Sequence, residues 1–259
     1  MSELRHPTAI IHPGAKLADD VSVGPYTIIG EHVEIGAGTT VGPHVVINGH
    51  TTIGKNNRIF QFSSLGEIPQ DKKYANEPTR LEIGDNNMIR EFCTFNLGTA
   101  QDKGVTRVGN NNWIMAYVHL AHDCQVGNNT IFANNAQLAG HVIVDDYAIL
   151  GGFTVVHQFV QIGAHVITGM GSILFQDIPT YVTVSGNPAA PHGTNSEGLK
   201  RRGFSSAAVM AIKRAYKTLY KSGMTLEEAK AAIAAQAAEH PELQAMLEFL
   251  GRTQRGIVR

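Results

Sequence analysis

Cysteine and charge are both scarce in this chain of 259 residues. Its two cysteines, Cys93 and Cys124, belong to no C-x-x-C and cannot form a disulfide framework. Charged residues make up 17% against 43% hydrophobic, which excludes a disordered polyelectrolyte. Net charge is −1, so the total gives no reason to expect nucleic acid as a partner. The opening MSELRHPTAI has no apolar core, and no secretory signal is expected. No run of about 18 apolar residues occurs, so no membrane span is expected either, and a soluble cytoplasmic protein is the default. A phosphate-binding G-x-x-x-x-G-K-[ST] loop and a nucleophile elbow are also missing.

What is present is a period of six. An aliphatic residue recurs at Leu17, Val23, Ile29, Ile35, Val41, Ile47, Ile53, Ile59 and Leu65, often followed by glycine. The frame returns at Ile83, Ile89 and Phe95. It then resumes one residue out of register and runs from Val108 in steps of six to Ile162, continuing through Thr168 and Leu174. Six fits neither the helical period nor a long alternating strand. It fits a short strand followed by a tight turn, with the aliphatic residue pointing inward. Three such units close a coil of 18 residues, and coils stack as parallel strands about 4.8 Å apart. Asparagine runs such as Asn56-Asn57, Asn86-Asn87 and Asn110-Asn111-Asn112 suit the corners, because Asn tolerates the left-handed conformation and can ladder between coils.

Two polar stretches break the repeat. Residues 67–82 read as a projecting loop that replaces roughly one coil, since Leu65 and Ile83 lie 18 apart. Residues 97–107 read as a second loop; loops of this kind on a rigid scaffold carry binding residues. Past Leu174, Pro179, Pro188 and Pro191 suggest a linker, which divides the chain into a β-coil over 1–190 and a helical region over 191–259. Ser205 is placed to cap a helix to about Ser222, Thr225 and Glu228 form a capping-box pattern, and Pro241 opens a third helix. From Gly198 onward there are eleven Lys and Arg against five Asp and Glu, which points to an acidic partner or a solvated helical face.

The 18-residue coil brings distant histidines together. His122 follows Leu120 by two, His141 follows Leu138 by three and His157 follows Val156 by one, so all three fall near one edge on successive coils. His119 precedes His122 by three. Three readings stay open: a general base oriented by Asp123, a zinc site, or polar corner residues hydrogen-bonded between coils. His165, His6, His12, His32 and His44 are expected at the surface. Cys124 reads as a packed wall residue.

The hexapeptide pattern resembles the hexapeptide-repeat acyltransferases, which implies a left-handed parallel β-helix and a homotrimer with sites between subunits. The strings AHDCQVGNNTIFANNAQLAGHVIVDDYAILGG, IPQDKKYANEPT, GGFTVVHQF and NSEGLKRRGFSS resemble more narrowly the UDP-N-acetylglucosamine 3-O-acyltransferases of lipid A synthesis. This resemblance implies transfer of a 3-hydroxyacyl chain from acyl carrier protein, without metal, cofactor or covalent enzyme intermediate. It implies His122 as general base, Asp123 as its orienting partner and the Gly140 N–H as oxyanion donor. It further implies Gln70, Asp71, Lys73, His119, His141 and His157 as sugar and acyl contacts. Asn195, Glu197, Arg201 and Arg202 correspond to the nucleotide segment, and the basic tail to a carrier-protein dock. Met170 stands where some members have glycine, in the floor of the acyl groove, and implies a decanoyl- or dodecanoyl-like chain. Asn96 and Pro188 replace histidines of other members. The alternatives are a related N-acyltransferase of the same pathway, against which the QDKKY and NSEGLKRRGF strings speak, a zinc hydratase resembling the γ-class carbonic anhydrases, or a non-catalytic scaffold.

Overall fold

The computed structural model describes residues 4–259, and the period of six is its architecture. Among the described residues the strands form three sheets of nine, eight and ten strands, and the chain visits them in turn. Sheet one includes His119–Leu120, Gln137–Leu138 and Val155–Val156; sheet two, Gln125–Val126 and Ile143–Val144; sheet three, Ile131–Phe132 and Ile149–Leu150. Leu120 pairs with Leu138, Leu138 with Val156 and Val156 with Leu174, one coil apart. The inward residues Leu120, Phe132, Leu138, Val144 and Leu150 are buried. Each coil therefore buries its apolar edge only between its neighbours, and the array has to be long. Thr168, the one polar residue in the frame, is equally buried. Its hydroxyl meets Thr154 Oγ1 at 2.7 Å and accepts from the Gly151 N–H at 2.9 Å, which satisfies it.

The corners behave as the asparagines suggest. Asn56, Asn86, Asn111 and Asn129 take positive φ at the corner between sheets two and three. Their companions turn inward: Asn57 Oδ1 accepts from the Asn87 N–H, Asn87 Oδ1 from the Asn112 N–H, and Asn112 Oδ1 from the Thr130 N–H, at 2.8–2.9 Å. At the corner between sheets three and one, rings occupy the same left-handed slot. Tyr26, His44, Phe62, Phe92 and Tyr117 stack in one column at centroid spacings of 4.8–5.2 Å, close to the strand spacing.

Two expectations about the interruptions need correction. The first loop does not replace a coil. Leu65 lies in sheet one against Ile47, whereas Ile83 lies in sheet two against Ile53, so the extra chain is inserted at the corner between those sheets. Twelve added residues are a multiple of six, which is why the frame survives them. The second loop leaves the same corner one coil later, between Phe95 of sheet one and Val108 of sheet two. Its length is not a multiple of six, hence the one-residue shift. Both loops are shorter than expected, because Ser64–Glu67, Arg80–Ile83 and Val105–Val108 are strands.

The proline-marked segment is no linker. Val182–Gly186 joins sheet three beside Ile167–Thr168, and Ala189–Thr194 pairs with it antiparallel, so an edge hairpin closes the coil and a boundary at 190 falls inside a strand. Four helices follow: α1 (Ser196–Arg201), α2 (Ser206–Lys221), α3 (Leu226–Ala237) and α4 (Gln244–Arg252). Ser205 caps α2, and both bonds of the Thr225–Glu228 capping box form at α3. Pro241 begins a 3-10 turn that leads into α4. The helices enclose a second small core of Leu199, Ile212, Leu219, Ile233, Met246 and Leu250, with Tyr181 of the coil.

Candidate active site

The chemistry gathers at the corner from which both loops depart. Asp123 and His141 hold φ of 62° and 63° there, and Phe159 holds 65° on the next coil, so each side chain projects from a tight left-handed turn. The rings of His122 and His141 meet edge to face at 4.9 Å, and His141 stacks on Phe159 at 4.4 Å. His122 Nδ1 lies 3.0 Å from Asp123 Oδ2. A carboxylate only accepts, so Nδ1 carries the proton, and in the neutral ring Nε2 keeps its lone pair. His122 is nearly enclosed, with its side chain 16% exposed, and the Asp123 side chain is wholly buried.

Burial alone would push the Asp123 carboxyl up. Hydrogen bonds from His122 and Thr99 outweigh it and hold the group below its ordinary range, with His141 adding to the effect. The Thr99 N–H reaches both carboxylate oxygens at 3.0 and 3.1 Å, and its hydroxyl donates to Oδ2 at 2.6 Å. Thr106 Oγ1 accepts from the Asp123 N–H. This support comes from the second loop and the strand after it, and no motif marked it in advance. His119 contacts Thr94 Oγ1 at 2.8 Å, and its burial lowers its pKa, which favours the neutral ring.

Gly140 sits directly beneath His122. A Cβ built on it would lie 2.5 Å from His122 Cε1 and 2.7 Å from Nε2. Only glycine leaves the ring in place. Among the described residues, the Gly140 N–H donates to no protein acceptor. Cys124 is buried behind the corner, its thiol pushed up to about 12 by burial, in keeping with a packed wall.

An open cavity of about 490 Å³ adjoins this corner, lined by Asp71 and Lys73 of the first loop, Asp102 and Lys103 of the second, His141 and Phe159. Gln161 and Gln254 also line it, and neither stood out in the sequence. Gln70 is exposed on the first loop beside Asp71. His157 lies on the following coil against Phe175, at 6.0 Å. Asn96 is buried, and its amide donates to the Ile68 carbonyl at 2.9 Å, so it anchors the first loop.

Other expected residues lie elsewhere in one chain. Asn195 caps α1 and donates to the His165 carbonyl at 2.9 Å. Arg202 packs over Tyr147, 5.2 Å from the ring, at the corner between sheets two and three. Glu197 and Arg201 are exposed beside them. His165 is not a surface residue. It stacks between Tyr147 and Tyr181, and burial followed by Arg202 pushes its pKa down to about 4. Met170 is 81% exposed at the third corner, across sheet one from His122. The residues matched to the nucleotide, and Met170, thus occupy different corners from the histidine pair.

His122, Asp123 and His141 also present three ligand atoms within 4.8 Å of one another, a set able to gather on a metal ion. Both imidazole Nδ1 atoms face carboxylates, so the cluster is satisfied by its own hydrogen bonds as it stands.

The parallel six-residue coils are those of the bacterial hexapeptide transferases, whose six-repeat profile matches residues 106–140. A second profile, the UDP-N-acetylglucosamine O-acyltransferase domain 2, matches residues 177–258. The acyl-[acyl-carrier-protein]–UDP-N-acetylglucosamine O-acyltransferase of Thiobacillus denitrificans is 69% identical over 98% of each chain. The Janthinobacterium enzyme of the same name is 62% identical over 99% of each. Among solved structures, LpxA of Acinetobacter baumannii superposes with a TM-score of 0.98 at 48% identity, covering 99% of this chain and 100% of that one. The chain belongs to the acyl-[acyl-carrier-protein]–UDP-N-acetylglucosamine O-acyltransferase family, and its coil is the left-handed β-helix. Among the described residues no helix is long and apolar enough to cross a membrane.

Proposed function

We propose that the protein transfers a 3-hydroxyacyl chain from acyl carrier protein to the 3-hydroxyl of UDP-N-acetylglucosamine, the first step of lipid A synthesis, in the cytoplasm. The observation that carries the mechanism is the His122–Asp123 pair lying over Gly140. His122 Nε2 takes the hydroxyl proton as the sugar oxygen attacks the thioester carbonyl. The Gly140 N–H donates to the oxygen that becomes negative in the tetrahedral intermediate, a type of contact worth roughly 3 kcal/mol of barrier. Collapse expels the carrier thiolate, which recovers the proton from His122. Asp123 fixes the tautomer and stabilises the imidazolium in between.

Asp71, Lys73 and His141 around the cavity form the sugar subsite, with Gln70, His119 and His157 at its margins. Asn195, Glu197, Arg201 and Arg202 lie at another corner of the same chain, and Met170 at a third. A homotrimer joins the corners of neighbouring chains into one complete site, with arginine suited to the diphosphate. Met170 then limits the acyl groove to a decanoyl- or dodecanoyl-like chain. The groove lined by Arg214, Lys217 and His240 between α2 and α3 is the surface on which an acidic carrier protein docks.

The test is acyl transfer by purified protein to UDP-N-acetylglucosamine from a ladder of 3-hydroxyacyl carrier proteins, with and without chelator. We expect chelator-insensitive transfer, preference for the medium chains, and a gain for the tetradecanoyl donor in Met170→Gly. Loss of activity on chelation with stoichiometric zinc would replace this mechanism with a metal-dependent one.

A further inference from the structure

His122 and His141 differ in what holds them. Asp123 Oδ2 is 3.0 Å from His122 Nδ1 but 3.9 Å from His141 Nδ1, too far for a hydrogen bond. Its oxygens are already occupied by Thr99 and His122. His141 Nδ1 instead lies 2.8 Å from Asp102 Oδ2. Asp102 stands on the second loop, three residues after Thr99, in a turn closed by bonds from the Asp102 and Gly104 N–H groups to the Thr99 carbonyl. One short turn therefore bonds His141 directly through Asp102, and supports His122 through the bonds of Thr99 to Asp123.

We propose that Asp102 is a positioning residue for His141, and that the Thr99–Gly104 turn backs both imidazoles of the site, His141 directly through Asp102 and His122 through Thr99 and Asp123. Asp102 takes the Nδ1–H of His141 and leaves the Nε2 lone pair on the other edge of the ring. His141 then acts as an acceptor, and the substrate group it recognises is a donor, a hydroxyl or an amide N–H. The stack of His141 on Phe159 fixes the plane of the ring, and Asp102 fixes its rotation in that plane.

The activity test rests on the acyltransferase reading, and wild-type transfer in the same assay checks that reading separately. Asp102→Ala is expected to lower kcat/KM about tenfold. Introduced into His141→Ala, it is expected to change kcat/KM less than about twofold, because the ring it positions is gone. Asp102→Asn, which keeps an acceptor oxygen, recovers most of the loss. Equal fold-losses in both backgrounds, or wild-type kinetics for Asp102→Ala, would overturn the proposal. A second measurement needs no catalysis. Limited trypsin digestion reads opening of the loop as cleavage after Lys103, and His141→Ala should accelerate it as much as Asp102→Ala does. Wild-type cleavage in His141→Ala would show that the pair does not hold the turn.

Discussion

At the scale of single residues, the site depends on contacts too close to allow substitution. Gly140→Ala would drive a methyl group into the His122 ring, and the ring can move only by leaving Asp123. Acyl transfer should fall on the order of 100-fold with the fold retained, measured as kcat/KM beside a melting curve. Thr99→Val tests the buried carboxylate. Asp123 is held below its ordinary pKa of 3.8, so its hydrogen bonds stabilise the folded chain above that pH and lose their effect as pH falls through the lower folded value. The variant should therefore melt below wild type at pH 7, with the gap narrowing as pH falls below 3.8. A gap that stays constant would assign the loss to packing instead. The histidines were legible in the sequence because the 18-residue coil converts spacings of 3, 16 and 19 into neighbourhood. Thr99, Asp102 and Gln254 were not, because they reach the corner from loops and the tail, whose paths follow no period.

At the scale of elements, the two loops and the C-terminal tail act on the same corner. The strands were legible wherever six residues repeat, and the capped helices α2 and α3 wherever Ser205 and Thr225 announce them. The edge hairpin was hidden because its prolines look like punctuation, and the six-residue α1 is too short to show a helical period. Asp177 carries the tail. Wholly buried, it accepts from the Gln161 N–H at 2.8 Å, from Thr253 Oγ1 at 2.5 Å and from the Gln254 N–H at 3.2 Å. Arg252, just before it, pairs with Asp145 of the coil. Asp177→Ala would strand these donors and cost about 3 kcal/mol. Hydrogen exchange should rise across residues 253–258 and the cavity should lose its Gln254 wall. Unchanged exchange there would mean that the apolar contacts of Ile257 and Val258 hold the tail without it.

At the scale of the whole molecule, one chain presents three corners with different contents: the histidine pair at one, Asn195 and Arg202 at the second, Met170 and a stacked ring column at the third. In the proposed homotrimer, assembly turns these into one site, so sedimentation equilibrium should return a mass of three chains, and a monomer with full activity would contradict that arrangement. The family was legible because its marks are spread along the chain, from QDKKY through AHDC to EGLKRRGF, and each lands on a corner or a capped turn rather than on the interchangeable interior of the coil. The role of His122 is tested most directly by the rate of acyl transfer to UDP-N-acetylglucosamine by His122→Ala, compared with wild type at equal thermal stability. General-base catalysis by His122 predicts a loss of at least ~100-fold in kcat with little change in KM for the sugar nucleotide. Transfer at the wild-type rate would show that the proton is taken elsewhere.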